Sequence, residues 1–295
     1  MPEYLILILL SACILGVYDI FKKSAVKDNA VLPVLFFSNL AGMIVFFAMA
    51  AGQGKFVEYA TGFNGIGQFG LIFMKTVIVA ASWALSFYAM RELPISIASP
   101  IRATAPFWTF IGSLLWFREF PNWMQGIAMI VIFAGYYMFT VISKMDGINF
   151  KKHKGFHCII LGTLVGSLAA LFDKYLMGVL HIPKTTVQFY FVTELVLIFG
   201  AACILRQFFS KEKTPFVWRW SIVMVGVLLV ITDYVYFAAV SIPGVQIAIL
   251  SLIRRSSCII TFLVGYKYFK EGNFRVKLCA LILFLIGVTL LEFAK

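Results

Sequence analysis

Apolar runs of about twenty residues recur along almost the whole chain, separated by short polar gaps. An α-helix rises 1.5 Å per residue, so roughly 20 such residues cross the hydrocarbon core of a bilayer. The runs are Tyr4–Lys23, Leu32–Ala51, Phe69–Met90, Ile95–Phe117, Trp123–Ile142, Gly155–Met177, Thr186–Phe208, Val217–Val240, Val245–Phe269 and Val276–Phe293. In lipid, every backbone N–H and C=O must be satisfied within the segment, which a helix achieves. The alternation of a membrane β-barrel strand is absent. Only 13% of the residues are charged, against about 25% in a soluble domain. The pattern predicts an all-α integral membrane protein with ten transmembrane helices.

The first run lacks a basic leader and an A-x-A cleavage site, so it reads as a retained span. Cys13, Cys158, Cys203, Cys258 and Cys279 all fall inside apolar runs without a CxxC pair. They read as small buried hydrophobes. The net charge of +12 would suggest nucleic acid in a soluble chain. Here the Lys and Arg sit in the gaps, where membrane topology puts them, and no nucleic-acid partner is expected. His153, His157 and His181 are scattered, and no HExxH, GxSxG or Walker sequence occurs. Neither a metal nor a cofactor is expected, and the chain reads as a non-enzyme. A headgroup-processing membrane enzyme or a non-transporting scaffold is the alternative.

The polar stretch around residues 143–154 divides the chain, and the two parts repeat each other. Ser99-Pro-Ile-Arg102 matches Ser251-Leu-Ile-Arg254, and Thr109-Phe110 matches Thr261-Phe262. Phe117-Arg118-Glu119 matches Phe269-Lys270-Glu271, and Gly135 matches Gly287, all in one register. Upstream, Tyr18-Asp19 matches Phe172-Asp173, while Tyr88-Ala89 and Pro94 match Phe237-Ala238 and Pro243. Residues 1–145 and 146–295 are therefore expected to be two five-helix repeats. An odd number of spans per repeat gives them opposite orientations, an inverted repeat. The Lys and Arg concentrate in the odd-numbered connections, which the positive-inside rule puts in the cytoplasm, with both termini outside. Such a duplicated bundle can work as a monomer.

On these residues the chain resembles the drug/metabolite transporter superfamily, specifically its EamA-type ten-helix permeases. The duplicated five-span unit, the Phe-basic-Glu endings, Gly135 and Gly287, and Pro94 and Pro243 carry the likeness. The resemblance implies a carrier of small molecules in the bacterial inner membrane, with both termini in the cytoplasm, against the charge count. Leu252-Ile-Arg254-Arg255-Ser-Ser is also similar to the paired basic residues in the ninth span of the plastid sugar-phosphate translocators. That likeness implies contact of Arg254 and Arg255 with an anionic group.

An ionised side chain at the bilayer centre costs at least ~2.5–3.5 kcal/mol, so it persists where it faces a cavity or a partner. Arg102 and Arg254 occupy equivalent places in the two repeats and are expected on opposite walls of one central cavity. The guanidinium fork suits phosphate or carboxylate. The plainer alternative neutralises each Arg with an internal acid such as Asp233 or Glu194. Arg255 lies about 100° round the helix from Arg254, and Lys75 offers a third positive wall or snorkels to the interface. Tyr234 shares a span with Asp233 and is a candidate cavity aromatic, as are Tyr190 and Tyr236. Asp19, Asp173, Asp233 and Glu194 are candidate coupling or counter-ion groups, because protonation of a desolvated carboxylate would couple transport to protons. The plainer alternative pairs Asp19 with Lys22 or Lys23. Gly162 and Gly166 form a GxxxG that predicts close helix packing. The expected function is secondary transport of a small, anionic or zwitterionic metabolite by alternating access.

Overall fold

A computed structural model describes residues 3–62, 65–93, 95–102, 104–118, 120–144, 153–209, 214–254, 256–257 and 260–261. Beyond these it describes 279, 282–283, 286–287 and 290. The elements are α1 (Glu3–Val26), α2 (Val31–Gly52), α3 (Phe56–Thr61), α4 (Ile66–Glu92), α5 (Ile95–Arg102) and α6 (Ala105–Phe117). There follow α7 (Trp123–Lys144), α8 (Lys154–Lys174) with a π-helical turn (Tyr175–Val179), α9 (Lys184–Phe209), α10 (Trp220–Val240) and α11 (Ile247–Arg254). Among the described residues there is no strand.

Six helices are long and apolar enough to cross a bilayer: α1, α2, α4, α8 with its π turn, α9 and α10. Their outward faces are greasy. Leu197 is 66% exposed, and Leu115 and Ile130 on α6 and α7 are 80% and 68% exposed. Water would penalise such surfaces, and lipid does not. The expected tenth span and the end of the ninth lie mostly outside the described residues.

Polar ties fix how the helices run. Lys23 Nζ donates to the carbonyls of Met90 and Leu93 at 2.6 and 2.7 Å, so α1 and α4 finish side by side. Arg219 Nη1 donates to Ser24 O and Lys27 O, so α10 begins where α1 ends. Asn29 pins the same corner, accepting from Val217 N and donating to Val217 O. Gly155 of α8 lies against Glu92 and Leu93. One end of the bundle therefore collects Lys27, Arg91, Lys154 and Arg219. Lys23 and Arg219 also satisfy carbonyls that helix ends leave open.

Two antiparallel crossings form the largest interfaces, α1 with α10 and α4 with α8. In the first, Ser11 and Thr232 each give a hydroxyl to the other's carbonyl, at 3.0 and 2.8 Å. In the second, Ser82 Oγ donates to Gly162 O at 2.7 Å. Gly162 lies against Ser82 and Ser86, and Gly166 against Ser82, the close packing that GxxxG predicts. The parallel crossing of α2 on α10 is tighter still. A Cβ on Gly226 would run into Ser38 O and Gly42 N, so only glycine lets these backbones touch.

The connection between α2 and α4 contains α3, held by Tyr190 Oη donating to Ala60 O at 2.6 Å. One expectation needs correction: the expected fourth span is not one helix. α5 ends at Arg102 and α6 starts at Ala105, with Thr104 N and Oγ1 both bonded to Ile101 O at 3.1 and 2.8 Å. Pro106 explains the break, because it has no N–H to give the carbonyl of Arg102 four residues back. α11 ends at Arg254 in the same way, with Ser256 N bonded to Ile253 O at 3.0 Å.

Candidate functional site: a cavity ringed by ion pairs

The elements α1, α4, α5, α8, α9, α10 and α11 enclose a cavity of about 140 Å³. Its size follows from what lines it. Gly162, Gly166, Ala169 and Ala170 keep the wall of α8 flat, while Trp83, Phe191, Tyr236 and Phe237 supply rings. Three ion pairs have one or both members in this lining, Asp19 standing just behind it. Arg102 Nη1 donates to Asp19 Oδ1 at 2.7 Å, joining α5 to α1. Arg254 Nη2 donates to Asp233 Oδ1 at 2.7 Å, joining α11 to α10. Lys75 Nζ stands 3.0 Å from Asp173 Oδ1, joining α4 to α8.

The three pairs differ in how far solvent can reach them. The Arg102 and Arg254 side chains keep 16% and 17% of their surface, whereas Lys75 keeps 2%. The guanidiniums thus reach the open space, while the ammonium is covered. Aromatic faces do the covering: Lys75 Nζ lies 3.6 Å from the centre of the Phe191 ring and 4.9 Å from that of Phe237. Arg254 stacks on Tyr236 at 3.9 Å. Ring faces carry negative potential and replace part of the lost hydration of a cation.

Arg102 and Arg254 therefore both line one void, and each is held by an internal carboxylate. Asp233 is the acid expected for such a role, and it takes Arg254. Asp19 pairs with Arg102 instead of Lys22 or Lys23. Lys23 caps α4, and Lys22 points its ammonium at the Phe87 ring, 4.2 Å from its centre. Lys75 is held inside and does not snorkel. Glu194 does not line the cavity. Its Oε2 accepts from Thr76 Oγ1 at 2.5 Å, and its Oε1 has no hydrogen-bond partner among the described residues. Tyr234 is also outside the lining and packs near Lys184, 5.7 Å from its ammonium. Tyr236, two residues on, is in the lining. Arg255 lies outside the described residues.

The lining also holds Lys22 and Tyr18, which the sequence alone did not place in the cavity. Their spacing was the available signal, because positions four apart share one helix face with Asp19 between them. No group of three or more His, Cys, Asp or Glu arranged for a metal occurs among the described residues.

An all-helical, multi-pass membrane protein with a charged cavity inside the bundle is the class that this geometry defines. Comparison with known proteins agrees with it. Residues 3–141 match the EamA-like transporter family. The "Uncharacterized transporter sll1164" of Synechocystis sp. is 22% identical over 229 residues, 74% of this chain. The chain spans 64% of the length of that curated relative. One solved crystal structure superposes with a TM-score of 0.77 over 99% of this chain and 98% of its own, at 13% identity. The chain is thus similar to the EamA-like transporter family over residues 3–141, a little less than half of its length.

Proposed function

We propose that the protein is a secondary transporter of a small anionic or zwitterionic metabolite, working by alternating access in the bacterial inner membrane. One observation carries this reading. Arg102 and Arg254 come from corresponding places in the sequence and open onto the same cavity, each held by a carboxylate that an anionic group can displace.

In this reading, residues 1–145 and 146–295 are inverted five-helix repeats, ten spans in all. Two details support it. The turns at Thr104 and Ser256 fall at corresponding positions directly after the two arginines. The α1–α10 and α4–α8 crossings also correspond when the halves are exchanged. Broken helices at a repeat interface are where such carriers hold solutes, because the breaks leave backbone polar groups facing the cavity. Arg102, Arg254 and Lys75 would contact the solute, with Arg255 beside them and Tyr236 taking the place proposed for Tyr234. Asp19, Asp173 and Asp233 are the counter-ions. Glu194, a buried carboxyl with no ion pair among the described residues, is the proton-coupling group. The basic end of the bundle faces the cytoplasm.

The test is solute counterflow in liposomes holding the purified protein, preloaded in turn with organic acids, amino acids or phosphorylated sugars. Exchange of one class, lost in Arg102→Ala and Arg254→Ala, supports the proposal. Exchange that both variants perform at the wild-type rate contradicts the anion site.

A further inference from the structure

The mirrored charges are Asp19 with Asp173 and Arg102 with Arg254. Three further charges in the cavity have no mirror: Lys75, Asp233 and Lys22, the last falling opposite Leu176. In the register that aligns Tyr88-Ala89 with Phe237-Ala238, Lys75 corresponds to Met224 and Asp233 corresponds to Ala84. These two unmatched residues are the ones that break the symmetry of the pairing. Arg102 takes Asp19, so the mirrored pair would be Arg254 with Asp173. Instead, Arg254 is drawn away by Asp233, and Asp173 is occupied by Lys75. Asp173 nonetheless stands within electrostatic reach of both Arg254 and Asp233.

An inverted repeat has a simple route to its opposite-facing state: each half adopts the arrangement that the other half now has. Resting on that reading of the fold, we propose that Arg254 changes carboxylate during the cycle, from Asp233 in this state to Asp173 in the oppositely open state. Lys75 and Asp233 are released by the same step. They become the two charges that a solute meets there, and they set its charge selectivity. The exchange keeps the buried charges balanced, because the mirrored framework of two arginines and two aspartates is neutral by itself. The released ammonium and carboxylate are a neutral set as well. In this scheme Lys22 keeps its ammonium over the Phe87 ring in both states.

The occupied pairs then act as latches of opposite sense. Asp233 on Arg254 and Lys75 on Asp173 hold the present state, and Arg254 on Asp173 holds the other. Neutralising Asp233 or Lys75 weakens the present state alone and favours the other, whereas neutralising Asp173 takes one latch from each state.

The experiment uses full-length protein in oriented vesicles, with the five natural cysteines replaced and one thiol introduced by Ser86→Cys in the cavity wall. A membrane-impermeant maleimide is added to either side, and the alkylation rates give the balance of the two states. Asp233→Asn and Lys75→Met each remove a latch of the present state alone and are expected to move the ratio of the two rates about tenfold in one common direction. Asp173→Asn takes one latch from each state and should move the ratio much less. Lys75→Met with Asp173→Asn removes a whole pair, leaves no lone buried charge, and should leave the ratio where Asp173→Asn leaves it. Opposite shifts in Asp233→Asn and Lys75→Met, no shift in either, or an equally large shift in Asp173→Asn overturn the exchange. The readout needs no solute, so it is separate from the transport reading. Vesicles that show these shifts but no solute flux would remove the transport reading alone.

Discussion

The two arginine-bearing breaks make an instructive pair. At the first, α5 stops at Arg102, Pro106 accounts for the stop, and the guanidinium reaches across to α1 and Asp19. At the second, α11 stops at Arg254, yet the residue corresponding to Pro106 is Cys258. There the guanidinium turns to α10 and Asp233. The same backbone device thus survives without the proline, while the carboxylate that it serves has changed. The break is common to the two arginine segments, and the pairing is where they differ.

The largest effect is expected from removing one guanidinium. Arg102→Ala leaves Asp19, with 4% of its side chain exposed, as a lone buried charge. Breaking such a pair costs about 3–5 kcal/mol, which thermal unfolding in detergent will show. Arg254→Ala should cost less, because Asp233 keeps 10% of its side-chain surface and has the cavity beside it. Equal losses would mean that the two pairs are buried alike.

A smaller effect separates the helix crossings. Gly226→Ala puts a methyl against Ser38 O and Gly42 N, both backbone atoms that cannot rotate away. Overpacking of this kind costs about 1–3 kcal/mol. Gly70→Ala, with nothing within 4 Å of the added Cβ, should leave the melting temperature unchanged. Next comes Thr76→Val, which takes the hydroxyl from Glu194 Oε2. A buried acceptor left without its donor costs about 1–3 kcal/mol. Restoring the donor with Thr76→Ser should recover most of that loss.

The smallest effect sharpens the comparison of the two breaks. Pro106→Ala should change stability by less than about 1 kcal/mol and leave counterflow intact, because the second break stands without proline. A loss of transport in this variant would make proline the cause of a feature that Cys258 does not need.

Much of this was legible in the sequence, and the rest was hidden for physical reasons. Long apolar runs reveal spans because lipid admits little else. Gly162 and Gly166 announce close packing, and the matched Ser99–Arg102 and Ser251–Arg254 segments announce a shared cavity. The choice of counter-ion was not legible. Asp19 and Arg102 are 83 residues apart, and nothing local selects that pair over Lys22 or Lys23. The broken fourth span was half visible, since Pro106 is plain to read but membrane helices often accommodate proline. Tyr236 and Tyr234 were indistinguishable by type. They differ only in the face of α10 that they occupy, which the packing decides.

Everything here turns on water reaching charges inside the bundle, and hydroxyl-radical footprinting in membranes measures that water directly. Tyr18, Trp83 and Tyr236 line the cavity, while Phe46 and Phe199 are buried away from it. Oxidation of the first three well above the second two is the expected result. Equal protection of all five would leave Arg102 and Arg254 in a dry core and contradict a solute-binding cavity.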